Sequence, residues 1–73
     1  MATKKSKEET IGQKIKKLRL AKDFTQEALA RKADIPYTTL VKIESDAVKN
    51  PSIDTVTKIA AGLEISIDYL IKG

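Results

Sequence analysis

Apolar residues recur along this chain at intervals of three and four positions, the spacing that lines one face of an α-helix. In the first such stretch Ile11, Ile15 and Leu18 share a face, while lysines fill the outer face up to about Lys22. Five stretches of this kind, joined by short turns, leave no room for a sheet. The pattern therefore predicts an all-α fold of five helices.

Capping residues indicate where these helices begin. Ser6 and Thr10 are each followed three residues later by Glu or Gln, so the first helix is predicted to start after one or the other. Thr25 is predicted to cap a second helix that runs to about Ala33, with Glu27 placed favourably in its first turn.

The later helices follow signals of the same kind. Pro36 has a fixed φ that suits a first helical turn, so a third helix is predicted from Pro36 to about Glu44. After a polar loop, Ser52 is predicted to cap a fourth helix, and Ser66 to cap a short last helix through Leu70 and Ile71. The inward side of the fourth helix is predicted to consist of Val56, Ile59, Ala60 and Leu63.

Residues 26–45 suit two short helices that cross closely. Ala30 lies at the predicted crossing, where a larger side chain would hold the two backbones apart. One apolar face runs through both helices and across the bend between them, formed by Leu29, Ala33, Ile35, Leu40 and Ile43. This arrangement is typical of a helix-turn-helix.

Positions between those apolar residues stay free on the second of the two helices. They are occupied by Tyr37, Thr38, Val41 and Lys42. Donors, acceptors and one apolar group in this arrangement suit the edges of bases in a DNA major groove.

Composition narrows the classes of function. A chain of 73 residues can hold one domain, whose core is marginal without good helix packing or oligomerisation. It contains no Cys and no His, which removes disulfides, thiolate metal sites and the commonest general base. We therefore expect no enzyme activity, no cofactor and no bound metal. Aromatic residues are too few for a base-stacking platform.

Charge is distributed unevenly along the chain. The formal charge is +4 and the isoelectric point is near 9.4, which fits a polyanionic partner. More than half of the 14 basic residues fall within the first 22 positions, and only Lys58 and Lys72 lie after position 49. Such a concentration suits a nucleic-acid-binding face. Lys14, Lys16 and Lys17 are nevertheless best explained as the solvated face of an amphipathic helix.

Residues 1–9 are polar and charged, so they are predicted to form a basic flexible arm ahead of one domain over residues 10–73. No apolar run approaches the ~20 residues that span a bilayer, and no signal-peptide core follows the first lysines. We expect a soluble cytoplasmic protein with no membrane partner and no small-molecule ligand.

Five motifs occur in order along the chain. They are Leu18-Arg19, Thr25-Gln26-Glu27-Ala28-Leu29-Ala30, Tyr37-Thr38-Thr39-Leu40-Val41-Lys42-Ile43-Glu44, Asn50-Pro51-Ser52 and Ile67-Asp68-Tyr69-Leu70. With these motifs the chain resembles, over about residues 10–73, the lambda repressor and Cro type of helix-turn-helix domain, the Xre-like family. The resemblance implies a compact five-helix, lambda-repressor-like DNA-binding domain of bacterial or phage origin, associated with the nucleoid when bound to DNA.

The resemblance also implies which residues contact the DNA backbone. Gln26 matches the glutamine with which the family hydrogen-bonds a phosphate at a helix N-terminus. The other positions that match phosphate or backbone contacts are Thr25, Thr39, Lys49 and Asn50.

The resemblance also implies which residues contact bases and which form a structural salt bridge. The positions that match base contacts are Tyr37, Thr38, Val41 and Lys42, with Val41 placed to touch a thymine methyl group. Ordinary helix surface is the weaker interpretation of these side chains, because they coincide with the family's reading positions. Arg19 and Glu44 match a structural salt bridge between the first and third helices.

The chain departs from the family pattern in its turns. Asp34 and Asp46 stand where the family usually has Gly, in turns that need a left-handed backbone, which Asp tolerates better than most residues. Pro36 replaces the usual Ser or Thr cap of the recognition helix, and we expect it to shift the start of that helix slightly.

Apolar residues near the end of the chain exceed what one short helix can bury, so Ile65, Ile67 and Tyr69 are predicted to form a dimer interface. A two-fold dimer would place two recognition helices ~34 Å apart on a palindromic operator. We therefore predict a homodimeric, sequence-specific transcriptional regulator of double-stranded DNA, which represses, or in some cases activates, transcription by occupying an operator. The alternative is a protein-interaction module such as an antitoxin or adaptor, which the lack of a tail after the last helix disfavours.

Overall fold

The computed structural model describes residues 9–72, in which five helices and no strand are found. The helices are α1 (Ile11–Ala21), α2 (Gln26–Ala33), α3 (Tyr37–Glu44), α4 (Ile53–Leu63) and α5 (Ile67–Lys72). The predicted all-α class is confirmed. Ser6, Gly73 and all but the last residue of the predicted arm lie outside the described residues.

Thr10, the second of the two predicted caps, precedes α1. Its Oγ1 accepts the backbone N–H of Gln13 at 3.0 Å, and Oε1 of Gln13 accepts the backbone N–H of Thr10 at 3.2 Å. This reciprocal pair satisfies two N–H groups that the helix itself leaves without acceptors. Three further helices also start at predicted hydroxyl caps, each accepting the N–H three residues further on: Thr25, Ser52 and Ser66.

The prediction that α3 starts at Pro36 is wrong by one residue. Pro36 has a ψ of 142°, which is extended, so it is the N-cap and the helix begins at Tyr37. Its carbonyl already accepts the N–H groups of Thr39 and Leu40 at 3.1 and 3.3 Å. The pyrrolidine ring fixes φ but leaves ψ free, and a residue with this φ therefore suits a cap as well as a first turn.

Four turns place a residue other than Gly in the left-handed region. Asp34 and Asp46, with φ of 61° and 68°, are the two predicted ones and are confirmed. Asp23 and Glu64, both with φ of 61°, were not predicted. At Asp34 and Asp46 the left-handed backbone is therefore formed by Asp, at the two positions where the resemblance leads one to expect Gly.

The core lies where the helices cross. α2 lies against α3 and α4, α1 against α3 and α5, and α5 against α4. Side chains from all five helices are buried at its centre: Ile15, Leu29, Leu40, Ile43, Ile59, Leu63 and Leu70. The inward side predicted for α4 is buried as expected. The apolar face predicted for α2 and α3 is also buried, except for Ile35, which is half-buried. Within residues 9–72, none of the helices combines the length and the apolar content that a membrane span requires.

Candidate nucleic-acid interface

The outer face of α3 carries the four predicted reading residues. Tyr37 is 47% exposed, Thr38 and Lys42 are exposed, and Val41 is half-buried. Positions separated by four residues share a helix face, so these side chains form one continuous surface. It offers an ammonium donor, two hydroxyls that donate or accept, and one apolar group. Such a set can hydrogen-bond base edges and touch a thymine methyl group.

The N-terminus of α2 offers a second polar surface. Oγ1 of Thr25 accepts the N–H of Ala28 at 3.0 Å, which holds the first turn in shape. The N–H groups of Gln26 and Glu27 belong to the same first turn and have no acceptor within the helix. Together with the positive end of the helix dipole, they can receive one oxygen of an anion such as a phosphate.

The side chain of Gln26, predicted to contact a phosphate, makes a hydrogen bond within the domain. Its Nε2 donates to Oε1 of Glu44 at 3.0 Å, and the residue is half-buried. This contact joins the start of α2 to the end of α3. Nothing in the sequence spacing indicated it, because the partners are 18 residues apart and lie on different helices.

A buried ion pair braces α1 against α3. Nε of Arg19 lies 2.8 Å from Oε2 of Glu44, and Nη2 lies 3.1 Å from Oε1, so the pair is bidentate. The side chains are only 8% and 2% exposed. Nη1 of Arg19 also donates to the carbonyl of Phe24 at 2.7 Å. The predicted contact between Arg19 and Glu44 is therefore present, and it fixes the C-terminal end of α3.

The segment between α3 and α4 carries the remaining predicted phosphate contacts. Lys49 and Asn50 are both exposed there. The N–H of Val48 donates to the carbonyl of Lys42 at 3.0 Å, which folds the segment back onto the last turn of α3. Thr39, the other residue predicted to contact the DNA backbone, is half-buried on α3.

A contact between Thr10 and Asp46 was missed by sequence reasoning. The hydroxyl of Thr10 donates to Oδ1 of Asp46 at 2.7 Å while accepting the N–H of Gln13. One cap therefore both starts α1 and holds the beginning of the segment that carries Lys49. The sequence indicated the cap and the left-handed turn separately, and only the fold brings them together.

The predicted dimer residues divide into two kinds. Ile65 and Ile67 are half-buried and pack against the core, whereas Tyr69 is 52% exposed. Ile71 is also 52% exposed on the same helix. The ammonium of Lys14 lies 5.8 Å from the centroid of the Tyr69 ring, a cation–π distance. The exposed part of this surface is therefore centred on α5.

These features define a helix-turn-helix domain of the kind that binds DNA. The helix-turn-helix family model HTH_3 matches residues 15–70. The chain belongs to this Xre-like helix-turn-helix family.

The chain is similar in sequence to curated regulators, among them SinR and a phage repressor. The HTH-type transcriptional regulator SinR of Bacillus subtilis is 38% identical over 61 residues, which are 84% of this chain and 55% of SinR. The immunity repressor protein of Bacillus phage phi105 is 37% identical over 62 residues, which are 85% of this chain and 42% of the repressor. The chain thus spans about half the length of these relatives.

Solved structures of SinR share the fold. In its crystal structure in complex with DNA, SinR, described as the master regulator for biofilm formation, has a TM-score of 0.81 and 37% identity, over 85% of this chain and 98% of that chain. SinR in a complex with SinI protein has a TM-score of 0.80 and 37% identity, over 85% of this chain and 60% of that one. The lambda-repressor-like class predicted from the motifs is in agreement with these matches.

Proposed function

We propose that this protein is a transcriptional regulator that binds double-stranded DNA sequence-specifically and represses transcription by occupying an operator. The observation that carries the proposal is the exposed face of α3, where Tyr37, Thr38 and Lys42 lie on a helix anchored by a buried ion pair. SinR has been crystallised with DNA, and the phage relative is named a repressor, which supports both the ligand and the direction of regulation.

Affinity and sequence choice come from different residues in this mechanism. The N-terminus of α2, with Thr25 and Gln26, and the segment with Lys49 and Asn50 contact phosphates, whose displaced counterions supply affinity. Binding therefore weakens steeply as salt increases. The side chains of α3 add contacts to base edges, which distinguish one sequence from another. No bond is made or broken.

Selection of bound sites from a pool of random DNA duplexes tests the proposal directly. An enriched motif is the expected result, and it would give the half-site sequence and spacing together. Uniform binding of all duplexes, with no motif after repeated rounds, would contradict sequence-specific recognition. Absence of binding to any duplex at low salt would contradict DNA binding itself.

Replacing Lys42 with alanine is expected to weaken binding to the selected site by ~1–3 kcal/mol, because a good base contact is lost. Binding to random duplexes should change much less. Fluorescence anisotropy titrations at one salt concentration measure both. Lys16→Ala removes the same charge from the exposed outer face of α1 and serves as the control. Equal losses on selected and random DNA would assign Lys42 to a phosphate instead.

We also propose that the protein binds its operator as a homodimer through α5. Tyr69 and Ile71 supply exposed apolar surface there, while Ile65 and Ile67 contribute their remaining exposed parts. A two-fold arrangement would set the two copies of α3 about one DNA turn apart, ~34 Å, and the operator would be palindromic.

Tyr69→Ala should therefore reduce dimerisation, and it should reduce affinity for a two-half-site duplex more than for a single half-site. Sedimentation velocity with and without the duplex measures the first effect, and anisotropy measures the second. Leu20→Ala is the control, because Leu20 is 54% exposed on α1 and apolar. A wild-type protein that remains monomeric on a two-half-site duplex would exclude the dimer.

A second candidate function is binding to a protein partner. SinR forms a complex with SinI, and this chain exposes further apolar surface at Ile53, which is 65% exposed. A defined heterocomplex that survives nuclease treatment, together with an absence of any selected DNA motif, would favour this candidate over the first.

A further inference from the structure

One carboxylate in this fold, that of Glu44, accepts hydrogen bonds from both a buried guanidinium and the amide of a half-buried glutamine. Oε1 of Glu44 accepts Nη2 of Arg19 at 3.1 Å and Nε2 of Gln26 at 3.0 Å, while Oε2 accepts Nε of Arg19 at 2.8 Å. The primary amide of Gln26 carries two N–H groups, and this contact uses one of them. The second N–H remains to be directed at an acceptor outside the domain.

We propose that Glu44 positions the Gln26 carboxamide so that its second N–H meets a DNA phosphate at the N-terminus of α2. Arg19 and Glu44 then act on DNA affinity through Gln26 without touching the DNA. This inference rests on the proposed function and adds to it a positioning role for the buried pair.

Conformational freedom gives the first reason. An unrestrained glutamine side chain populates several rotamers, and the conformational entropy that it loses on contacting a phosphate opposes binding. The hydrogen bond to Glu44 confines the amide before DNA arrives, because Glu44 is itself held by two bonds from Arg19 and is 2% exposed. Much of the ordering is therefore complete in the free protein.

Charge gives the second reason. A carboxylate beside a phosphate site would repel the phosphate if it were not neutralised. Arg19 neutralises Glu44 within the core, where water screens neither group. The partial positive charge of the α2 N-terminus is then left to attract the phosphate. Glu44 can therefore orient an amide for an anion without excluding that anion.

A double-mutant cycle tests the coupling. Gln26→Ala is made in the wild-type protein and in an Arg19→Met/Glu44→Leu background, which replaces the buried pair with apolar side chains of similar size. In the wild type, Gln26→Ala should weaken binding to selected and random duplexes alike by about fivefold, as expected for one lost hydrogen bond. The Arg19→Met/Glu44→Leu protein should bind about as weakly, and adding Gln26→Ala to it should change binding less than about twofold.

Arg31→Ala, an exposed cation in the last turn of α2, is the control and should have the same effect in both backgrounds. An equal loss from Gln26→Ala in both backgrounds would show that Gln26 acts independently of Glu44 and would overturn the inference. No loss from Gln26→Ala in a wild type that binds DNA would also overturn it while leaving the proposed function intact. A wild type that binds no duplex would instead contradict the proposed function.

A measurement on the unmodified protein tests the same idea without any substitution. Side-chain ¹⁵N relaxation of the free protein should give the Gln26 amide an order parameter near that of rigid backbone, about 0.85. The side-chain amide of Asn50, which is exposed in the segment after α3, should be mobile, below about 0.6. A Gln26 amide as mobile as that of Asn50 would show that Glu44 does not position it.

Discussion

Replacing Glu44 with alanine should destabilise the domain by ~3–5 kcal/mol, because it leaves the guanidinium of Arg19 charged and buried without its partner. The side chain of Arg19 is 8% exposed, and both of its bonds to Glu44 are lost at once. The bond to the carbonyl of Phe24 remains but cannot neutralise the charge. In a domain of this size each kcal/mol lowers the melting temperature by ~4–8 °C, so the variant should melt at least ~12 °C lower.

Circular dichroism melts of wild type and variant measure this effect. The control removes both partners: Arg19→Met/Glu44→Leu leaves no buried charge and should retain most of the wild-type stability. A Glu44→Ala protein that melts at the wild-type temperature would show that Arg19 reaches solvent when unpaired. A double variant as unstable as Glu44→Ala would show that packing in this region, rather than charge, sets the stability.

The helices were predictable because their signals are local. Thr10, Thr25 and Ser52 each cap a helix through the N–H three residues away, and a short stretch of sequence contains both partners. The left-handed turns at Asp34 and Asp46 were predicted in another way, from the resemblance to a family that usually has Gly at these positions, and Asp side chains tolerate that backbone.

Glu64 shows where local reasoning ends. A glutamate has no intrinsic preference for a positive φ, and yet Glu64 closes α4 in the left-handed region. The next N–H, that of Ile65, donates to the carbonyl of Ala60 at 3.0 Å, and Ile65 packs against the core. Burial of Ile65 and this hydrogen bond together stabilise a turn that a glutamate at position 64 disfavours.

The candidate interface divides in the same way. The exposure of Tyr37, Thr38 and Lys42 follows from helical periodicity, and it was predicted from the apolar positions around them. The hydrogen bond from Gln26 to Glu44 depends on how α2 approaches α3 in space, which no spacing encodes. Sequence reasoning therefore indicated which surface is presented, and the structure shows what holds it in place.

The second large effect is expected at Gly12, on the side of α1 that faces α3. A Cβ atom there would overlap the carbonyl oxygen of Ile43 and lie 3.0 Å from Oδ1 of Asp46. Alanine normally favours a helix over glycine by ~1 kcal/mol, but the overlapped atom is backbone and cannot rotate away. Overpacking of this kind costs ~3 kcal/mol at the upper end of its usual range, so Gly12→Ala should force α1 from α3 and destabilise the domain by ~2 kcal/mol net.

The displacement would strain both links between α1 and the end of α3, the Arg19 to Glu44 pair and the Thr10 to Asp46 hydrogen bond. Urea denaturation measures the change in unfolding free energy. Gly62→Ala on α4 is the matched comparison, because its Cβ would lie 3.1 Å from the methyl group of Ala33, a tight contact without the same overlap. Its effect should be clearly smaller. If Gly12→Ala were instead as stable as the wild type, α1 and α3 would have room to separate at no cost in stability.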